Sequence, residues 1–506
     1  MLDAGRMLAS MDSHFGPMGA QGEAWMMVVR KGHKVIFESI ITAKTERATV
    51  VSPLICSVTI PTFSERKCAW HGISEMRERA FFCDRYEGYG DFCRCDNPVI
   101  ISAKNAPRLV RHFETIPVAL VTANRLPSAL KQILHIWSNQ GGNVTPITLM
   151  VDGHNPEAEH LAKVLNVSAL FHSNKAKRGT KHRINEHIKF SLDSIFRQYP
   201  KVKRAIILED DLVLSPDFIS YFQQTSLLMR FDPTILCVNA YNYNSFPHTS
   251  YDPTRIYRVQ SYPYYGWMTD RIQAEKMLAN WAPMEAEADW DLWVRKHHVD
   301  AKHQVVIPEV PRTKHEGGGG VHVTGYEQEL SFHQRPYNLK PNVTLNLIRS
   351  WDFAYALDIM RTLDNANIVN ITEHPCDKHP IPHYQKRPHV IYIKLTDEED
   401  TTDSFKTLTR CLGFHPQLYE NYQGVVRLKF FETPLLIVSC PPSAYCVDVP
   451  ESVIYSPSPS DYQYALQHGW RRTNMTGEVV ARVPTADVIE EFNLDNTKSL
   501  SFIVRD

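Results

Sequence analysis

The chain has 506 residues, a formal net charge of −1, 43% hydrophobic residues and 22% charged residues. This length exceeds what one compact core normally holds, so two or three domains are expected. The composition is that of an ordinary globular protein, and the balanced charge argues against a nucleic-acid partner. No apolar run is long enough to cross a bilayer, and no signal peptide is visible at the start.

The first 66 residues predict a partial, β-rich stem domain. A helical spacing covers Leu2–Met11, and strand-like runs follow at Ala24–Val29, Lys34–Ile40 and Thr49–Cys56. Pro53 lies inside the last run, which would therefore be an edge strand. Because so short a segment does not close a sheet, we expect it to be the back half of a larger domain.

A cysteine-rich segment and linker are predicted over residues 67–116. Four of the ten cysteines crowd together there: Cys68, Cys83, Cys93 and Cys95. The pair Cys93–Cys95 is one residue too tight for a Cys-x-x-Cys zinc site, so disulfides are favoured over zinc and over free thiols. Asn-x-Ser/Thr sequons elsewhere in the chain agree with a secretory compartment.

From residue 117 to residue 335 strands and helices alternate. This pattern predicts an α/β fold with a Rossmann-like, mostly parallel sheet and helices on both faces. The expected elements are strands Val118–Thr122, Ile147–Val151, Ala169–His172 and Ala205–Leu208, and helices Pro127–Ser138, Glu157–Leu165 and Asn185–Tyr199. Residues 336–450 are expected to be the acceptor-side part of the same catalytic domain, and residues 451–506 remain an unassigned tail.

Three consecutive acids, Glu209, Asp210 and Asp211, follow the apolar strand Ala205–Leu208. Acids at that point lie at the carboxyl end of a buried strand, where open α/β sheets place ligand crevices. Packed carboxylates repel each other unless a cation lies among them, and oxygen ligands suit Mg²⁺ or Mn²⁺. A charged turn after the strand is the alternative interpretation.

Other polar residues follow the neighbouring strands. Arg125 comes just after the first strand, where it would face a diphosphate or merely cap the sheet end. Asp152 ends the second strand, where its carboxylate could accept a hydrogen bond from a nucleobase N–H or a ribose hydroxyl. The alternative is an aspartate of an ordinary turn. His187 is either a ligand contact or a capped helix residue. The basic run Lys175–Arg183 could attract a diphosphate, but such runs are more often a solvated surface.

A second acidic motif alternates Asp289 and Asp291 with Trp290 and Trp293. Aromatic faces beside carboxylates suit sugars, and one carboxylate near an acceptor hydroxyl could act as general base. An amphipathic helix with buried tryptophans is the alternative. Gly317–Gly320 has the composition of a hinge or lid, while no Gly-x-Ser-x-Gly elbow of a serine hydrolase occurs.

Taken together, these residues resemble the β-1,2-N-acetylglucosaminyltransferases of the secretory pathway. The pieces that carry the resemblance are Pro117–Ala119, Asn124–Arg125, Leu208–Leu212, Tyr257–Val259, Gly266–Trp267, Trp290–Trp293 and Arg312–Thr313. The resemblance implies a GT-A fold, UDP-GlcNAc as donor and Mn²⁺ as cofactor. It also implies an inverting transfer to O2 of a mannose on a glycoprotein or glycopeptide.

The resemblance also implies a role for each candidate residue. Asp211 would bind the metal, with Glu209 and Asp210 against the ribose and sugar. The donor would also meet Arg125 at its diphosphate, Asp152 at its uracil, His187 at its nucleotide and Trp267 nearby. Asp291 would be the catalytic base, with Asp289 as second candidate, and Gly317–Gly320 would order over the donor.

Within this family, the start of the chain resembles the stem of the branch that acts on O-linked mannose. The N-glycan branch is the alternative, and a non-catalytic carbohydrate-binding relative is a further one. Family members are lumenal Golgi proteins with an N-terminal membrane anchor, which is expected in the full-length protein and absent from this chain. Two regions depart from the family pattern: Tyr264–Trp267 near the donor site, and Phe414, His415 and Glu420 on the acceptor side.

Overall fold

The computed structural model divides into two compact units, Met1–Val99 and Ile100–Asp506. Each unit is described here by itself. The residues that the structure describes are 23–31, 34–43, 68, 70, 72–95, 113–177, 179–283, 288–298, 303–316, 332, 335–395, 403–415, 418–469, 471–473 and 479–481.

The described residues of the first unit include an antiparallel pair of strands. Strand β1 (Glu23–Lys31) pairs antiparallel with β2 (Lys34–Ala43), which confirms both predicted strands. The helix predicted over Leu2–Met11 and the strand over Thr49–Cys56 lie outside the described residues. The extent of a stem domain therefore stays a prediction.

The cysteine-rich segment is held by two disulfides, Cys68–Cys95 and Cys83–Cys93, as the crowding of cysteines predicts. They enclose helix α1 (Arg77–Arg85). Arg79 donates from Nε to the carbonyl of Phe92 at 2.9 Å. So short a segment buries little apolar surface, and the covalent links compensate for that.

The second unit is built on an eight-stranded sheet. In spatial order its strands are β5 (Ser168–His172), β4 (Ile147–Asp152), β3 (Val118–Thr122), β6 (Arg204–Glu209), β10 (Trp267–Asp270), β8 (Ile235–Asn239), β11 (Gln304–Pro308) and β9 (Ile256–Val259). Strands β10 and β9 run antiparallel to their neighbours, and the other pairings are parallel. The predicted α/β fold with a mostly parallel sheet is therefore confirmed.

The helices of this part are α2 (Leu126–Ser138), α3 (Pro156–Leu165), α4 (Lys181–Gln198), α5 (Phe218–Phe231), α6 (Arg271–Ala279) and α7 (Trp290–His298). Every residue of β3 is buried, so both faces of the central sheet are covered. Helix α4 buries Ile188, Leu192, Ile195 and Phe196, the apolar face that the sequence predicts.

Helix α4 begins four residues earlier than its apolar periodicity predicts. Thr180 is its N-cap, and the Thr180 hydroxyl accepts from the backbone N–H of Arg183. Capping satisfies one of the free N–H groups of the first turn and stabilises a helix by about 1 kcal/mol. The first turn of α4 therefore carries Lys181 and Arg183, which the sequence had favoured as a solvated basic run.

A second, smaller sheet follows the first. It contains β13 (Asn367–Ile368), β14 (His389–Lys394), β15 (Val425–Phe430), β16 (Thr433–Cys440) and β17 (Ile454–Tyr455), with helices α8 (Asp352–Asp364), α9 (Asp403–Leu412) and α10 (Pro459–His468) nearby in the chain. Disulfides Cys376–Cys411 and Cys440–Cys446 brace this part. In the tail, β18 (Arg471–Thr473) pairs with β19 (Val479–Ala481). None of the helices in the described ranges is long and apolar enough to cross a membrane.

Arg312, one of the motif residues, makes a buried ion pair beneath the main sheet. Its Nε donates to Asp217 Oδ2 at 3.1 Å, and both side chains are 1% exposed or less. Asp217 also accepts from Asn338 Nδ2 at 2.7 Å. Among the described residues, Asp217 is the carboxylate that pairs with Arg312. A buried cation that loses such a partner is left uncompensated, which is costly in a low-dielectric interior.

We therefore expect Asp217→Ala to lower the free energy of unfolding by roughly 3–5 kcal/mol. Chemical denaturation followed by tryptophan fluorescence would measure the change. Asp193→Ala is the matched control, because it breaks the exposed pair with Arg197 on helix α4 and should change stability little. Equal losses in the two variants would contradict the assignment.

Candidate functional site

Polar side chains gather where three parallel strands end. Strand β3 lies between β4 and β6, and Val121 of β3 is in register with Glu209 of β6. Parallel register brings the residues that follow the strands to one edge of the sheet. Thr122, Asp152 and Glu209 therefore share that edge.

The turn that carries the acid triplet is fixed by the protein around it. Gln132 on α2 donates from Nε2 to the carbonyl of Glu209 at 2.5 Å and to that of Leu212 at 2.8 Å. Just beyond the turn, β7 (Leu212–Leu214) pairs antiparallel with β12 (Thr313–His315). These bonds hold the backbone of the acids while their side chains stay available.

Burial and mutual repulsion act on the first two acids. Burial, followed by the charges of Asp211, Asp210 and Asp291, raises the pKa of Glu209 to about 8. Burial also raises the pKa of Asp210 to about 7, although a hydrogen bond from Thr122 opposes this shift. That bond runs from Thr122 Oγ1 to Asp210 Oδ2 and is 2.5 Å long. The site thus holds carboxylates whose ionisation is unfavourable without a cation.

Asp211 faces two basic side chains. Its Oδ2 lies 3.4 Å from Arg125 Nη1 and 3.4 Å from His315 Nε2. Both contacts are long, and the carboxylate is 21% exposed, so lone pairs remain for a stronger ligand. Oxygen donors crowded in this way fit a hard divalent cation.

Of the two basic neighbours of Asp211, the sequence predicts only Arg125 as a site residue. Arg125, predicted from its place after β3, comes directly before α2 and reaches the triplet. His315 was not predicted. Its only signal is its position immediately before the glycine run, and Gly317–Gly320 itself lies outside the described residues.

Asp152, at the end of β4, is held by an arginine that the sequence did not single out. Arg183 Nε donates to Asp152 Oδ2 at 2.6 Å, and Nη2 donates to Oδ1 at 3.0 Å. The same guanidinium donates to the carbonyl of Ala176 at 2.7 Å. This bidentate pair fixes the direction of the carboxylate and leaves one lone pair on each oxygen free to accept.

His187 lies on α4 beneath Asp152 and is 5% exposed. Burial lowers its pKa to about 4, so its ring is neutral. Its Nε2 donates to the carbonyl of Met150 at 3.1 Å, and its Nδ1 then accepts from His172 Nδ1 at 3.3 Å. His172, missed by sequence reasoning, therefore stands beside His187, and polar atoms of Asp152, His172 and His187 lie within 4.8 Å of each other.

The second acidic motif approaches the triplet from a different element. Asn185 of α4 accepts from the backbone N–H of Trp290 at 3.0 Å and donates to the carbonyl of Ala288 at 3.1 Å. Helix α7 therefore begins at a fixed place, as the helical interpretation of the motif expected. Lys181 Nζ lies 2.9 Å from Asp289 Oδ2, so Asp289 is already paired.

Among the residues that the structure describes, no cation lies within ion-pair distance of Asp291, although the charge of Lys181 acts on it. Asp291 Oδ1 accepts from the backbone N–H of Leu292 at 2.8 Å. Burial, and to a smaller extent Asp289, raises the pKa of Asp291 to about 6. A carboxylate with this pKa is largely ionised near neutral pH and is a stronger base than an ordinary aspartate.

Trp267 does not lie on the open side of the site. It is 1% exposed, and its ring stacks on Trp290 with centroids 5.7 Å apart. Trp290 in turn stacks on Trp281 at 5.8 Å. In this structure the indole of Trp267 faces the core and packs against Trp290 of α7, so it is not exposed for contact with a donor.

The raised pKa of Glu209 predicts how stability depends on pH. An acid whose folded-state pKa of about 8 exceeds the unfolded value of 4.5 keeps its proton when folded. The folded protein then loses stability as pH rises from about 5 to 8. We expect Glu209→Gln to raise the melting temperature of metal-free protein by a few degrees at pH 8 and to change it little at pH 5.

Differential scanning calorimetry in a chelator would measure this difference. Glu275→Gln is the control, because Glu275 is an exposed residue of α6. An effect of Glu209→Gln that is the same at both pH values would rule out a buried, protonated Glu209.

Residues 117–365 match the GNT-I family model. The alpha-1,3-mannosyl-glycoprotein 2-beta-N-acetylglucosaminyltransferase of Arabidopsis thaliana is 35% identical over 139 residues, which are 28% of this chain and 30% of that relative. The match therefore spans under a third of the relative's length.

Two solved structures have a lower sequence identity with this chain. One is a glycosyltransferase involved in the glycosylation of the major capsid of PBCV-1, with 12% identity, TM-score 0.22, and coverage of 38% of this chain and 81% of that chain. The other is a mannose-1-phosphate geranyltransferase from Thermus thermophilus, with 11% identity and TM-score 0.24. That match covers 39% of this chain and 74% of the geranyltransferase chain. TM-scores this low do not indicate function, so the relevant similarity is the match of residues 117–365 to the GNT-I family model. Residues 117–365 of this chain are similar to the GNT-I family.

Proposed function

We propose that this protein transfers N-acetylglucosamine from UDP-GlcNAc to the 2-hydroxyl of a mannose on a glycoprotein, with inversion at the anomeric carbon. One observation carries the proposal: three carboxylates end strand β6 beside Arg125, and a separate carboxylate, Asp291, approaches from α7. The family match of residues 117–365 and the name of the Arabidopsis relative support the same chemistry.

The acid triplet is the proposed metal site of a GT-A domain. Asp211 would hold Mn²⁺, and Glu209 and Asp210 would lie against the ribose and sugar of the donor. When bound, the metal ion supplies a Lewis acid at the diphosphate. Arg125, close to Asp211 already, would donate to the same diphosphate and stabilise the charge that develops on it.

The nucleotide is proposed to lie toward β4. Asp152 keeps free lone pairs toward a base N–H while Arg183 fixes its direction. His187 would act through the neutral pair with His172, which lies beside Asp152. Neutral imidazoles leave the diphosphate region to Arg125 and the metal.

Asp291 is the proposed general base. It takes the proton of the mannose O2–H as O2 forms a bond to the anomeric carbon. The bond from that carbon to the UDP oxygen breaks, and its electron pair leaves with UDP. Inversion requires attack from the face opposite UDP, and a base on α7 comes from a different element than the acids of β6.

The acceptor that we propose is an O-linked mannose, with the lumenal side of the Golgi membrane as the place of reaction. The hairpin of β1 and β2 in the stem-like segment is compatible with this branch of the family. Four disulfides agree with an oxidising lumen. The name of the Arabidopsis relative favours a second candidate, an N-glycan core mannose.

An acceptor panel tests the function directly. Purified protein with UDP-GlcNAc should modify an O-mannosyl peptide in the presence of Mn²⁺, and a chelator should abolish the product. Mass spectrometry of the peptide would measure it, with an N-glycan core mannoside as the second acceptor. Modification of the second acceptor alone would move the assignment to the N-glycan branch. Binding of UDP without transfer to either would indicate a non-catalytic relative.

Asp291→Asn is expected to lower kcat by about 10²–10⁴, because it removes the base while keeping the shape of the side chain. The Kd for UDP, measured by calorimetry, should stay within about twofold of the wild-type value. Asp193→Asn, on the exposed face of α4, serves as control. Undiminished transfer by Asp291→Asn would remove Asp291 from the mechanism.

A further inference from the structure

Glu420 is a fully buried carboxylate far from the acid triplet in sequence. It is 4% exposed, and four donors surround it. Its Oε1 accepts from Tyr264 Oη at 2.5 Å and from the backbone N–H of Tyr243 at 2.7 Å. Its Oε2 accepts from the backbone N–H of Asn244 at 3.1 Å and from Asn244 Nδ2 at 3.0 Å. Burial raises the pKa of Glu420, while these hydrogen bonds oppose that shift by donating to both carboxylate oxygens.

These bonds join three segments that are distant in the chain. Tyr243 and Asn244 follow β8, Tyr264 precedes β10, and Glu420 belongs to the segment before β15. Apolar residues would fill such a place at a lower desolvation cost, so a carboxylate here contributes geometry more than stability. Its geometry sets where the aromatic side chains of the three segments lie.

The aromatic side chains in question form one surface, which we call the aromatic wall: Tyr243, Tyr262, Tyr264, His415 and Tyr419. Tyr243 lies 4.5 Å from Tyr264 and 4.7 Å from His415, between ring centroids. Tyr262 lies 5.5 Å from Tyr419. Tyr262 and Tyr264 are buried, while Tyr243, His415 and Tyr419 are half-buried.

The aromatic wall borders the proposed base. The Arg295 guanidinium lies 4.7 Å above the ring of Tyr419, and Arg295 is one helical turn beyond Asp291 on α7. The negative charge of Asp291 contributes to the raised pKa of both Tyr262 and Tyr419, although burial is the main cause in each. The wall therefore lies beside α7, the helix that carries the proposed base.

We propose that Glu420 is a positioning residue that holds the aromatic wall as the binding face for the acceptor sugar. This inference rests on the proposed function, because it assigns the acceptor side of that site. The C–H face of a mannose would pack on the half-buried rings, and its 2-hydroxyl would point to Asp291. Glu420 touches no substrate and acts through Tyr243 and Tyr264.

Two variants test the inference with little change of volume. Tyr264→Phe removes one donor to Glu420. Glu420→Gln places an amide NH₂ against N–H donors. The matched control is Tyr445→Phe, the same change at a half-buried ring that is packed near Tyr422.

We expect Tyr264→Phe and Glu420→Gln to raise the KM for the mannoside acceptor about tenfold, as the loss of one hydrogen bond to a charged group would. The KM for UDP-GlcNAc should stay within about twofold. Steady-state kinetics with each substrate varied in turn would give both constants, and melting temperatures would verify folding.

A merely structural role for Glu420 would move both KM values or only the melting temperature, and either outcome would overturn the inference. Unchanged acceptor KM in a folded Tyr264→Phe variant would do so as well. If wild-type protein fails to transfer from UDP-GlcNAc to any mannoside, the proposed function itself fails, which is a distinct result.

Discussion

The end of strand β6 imposes the constraint on which the rest of the site depends. A strand buried on both faces stops on three acids, and burial raises the pKa of two of them, Glu209 and Asp210. Keeping carboxylates at this depth is unfavourable unless the surrounding protein or a bound cation compensates. Thr122 and Arg125 supply part of that compensation, and Gln132 fixes the backbone of the turn.

Helix α4 organises the remainder of the site. From one helix, Arg183 fixes Asp152, His187 meets His172, and Asn185 brackets the start of α7. A rigid helix holds these groups at set distances, so the nucleotide side and the base side of the site are built from one element. The same helix packs its apolar face into the core under β3 and β6, which ties the site to the most buried part of the fold.

The local part of this architecture is readable from sequence. Local sequence predicts the buried strand Val118–Thr122 and the acids at the end of Ala205–Leu208. Both predictions depend only on neighbouring residues, through the apolar pattern of a strand and the cost of desolvating a carboxylate. The partners of those acids are not readable in that way. His172, Arg183 and His315 join the site through tertiary contacts, and each sits in a segment with an ordinary interpretation.

The antiparallel direction of β10 between β6 and β8 is likewise not readable from its own residues, since strand direction depends on the connections before and after the strand. Trp267 illustrates the limit for single residues. Its place in a motif near the site predicts a contact, but the side chain points into the core because strand period alternates faces and β10 turns Trp267 toward Trp290.

The first turn of α4 holds two ion pairs of unequal exposure. The side chains of Arg183 and Asp152 are 13% and 11% exposed, whereas those of Lys181 and Asp289 are 52% and 23% exposed. Mobile ions screen the exposed pair far more strongly than the sheltered one. Ionic strength should thus act on the two halves of the site unequally. Moderate salt weakens the Lys181–Asp289 pair and alters the electrostatic field around the base, while the carboxylate of Asp152 keeps its orientation.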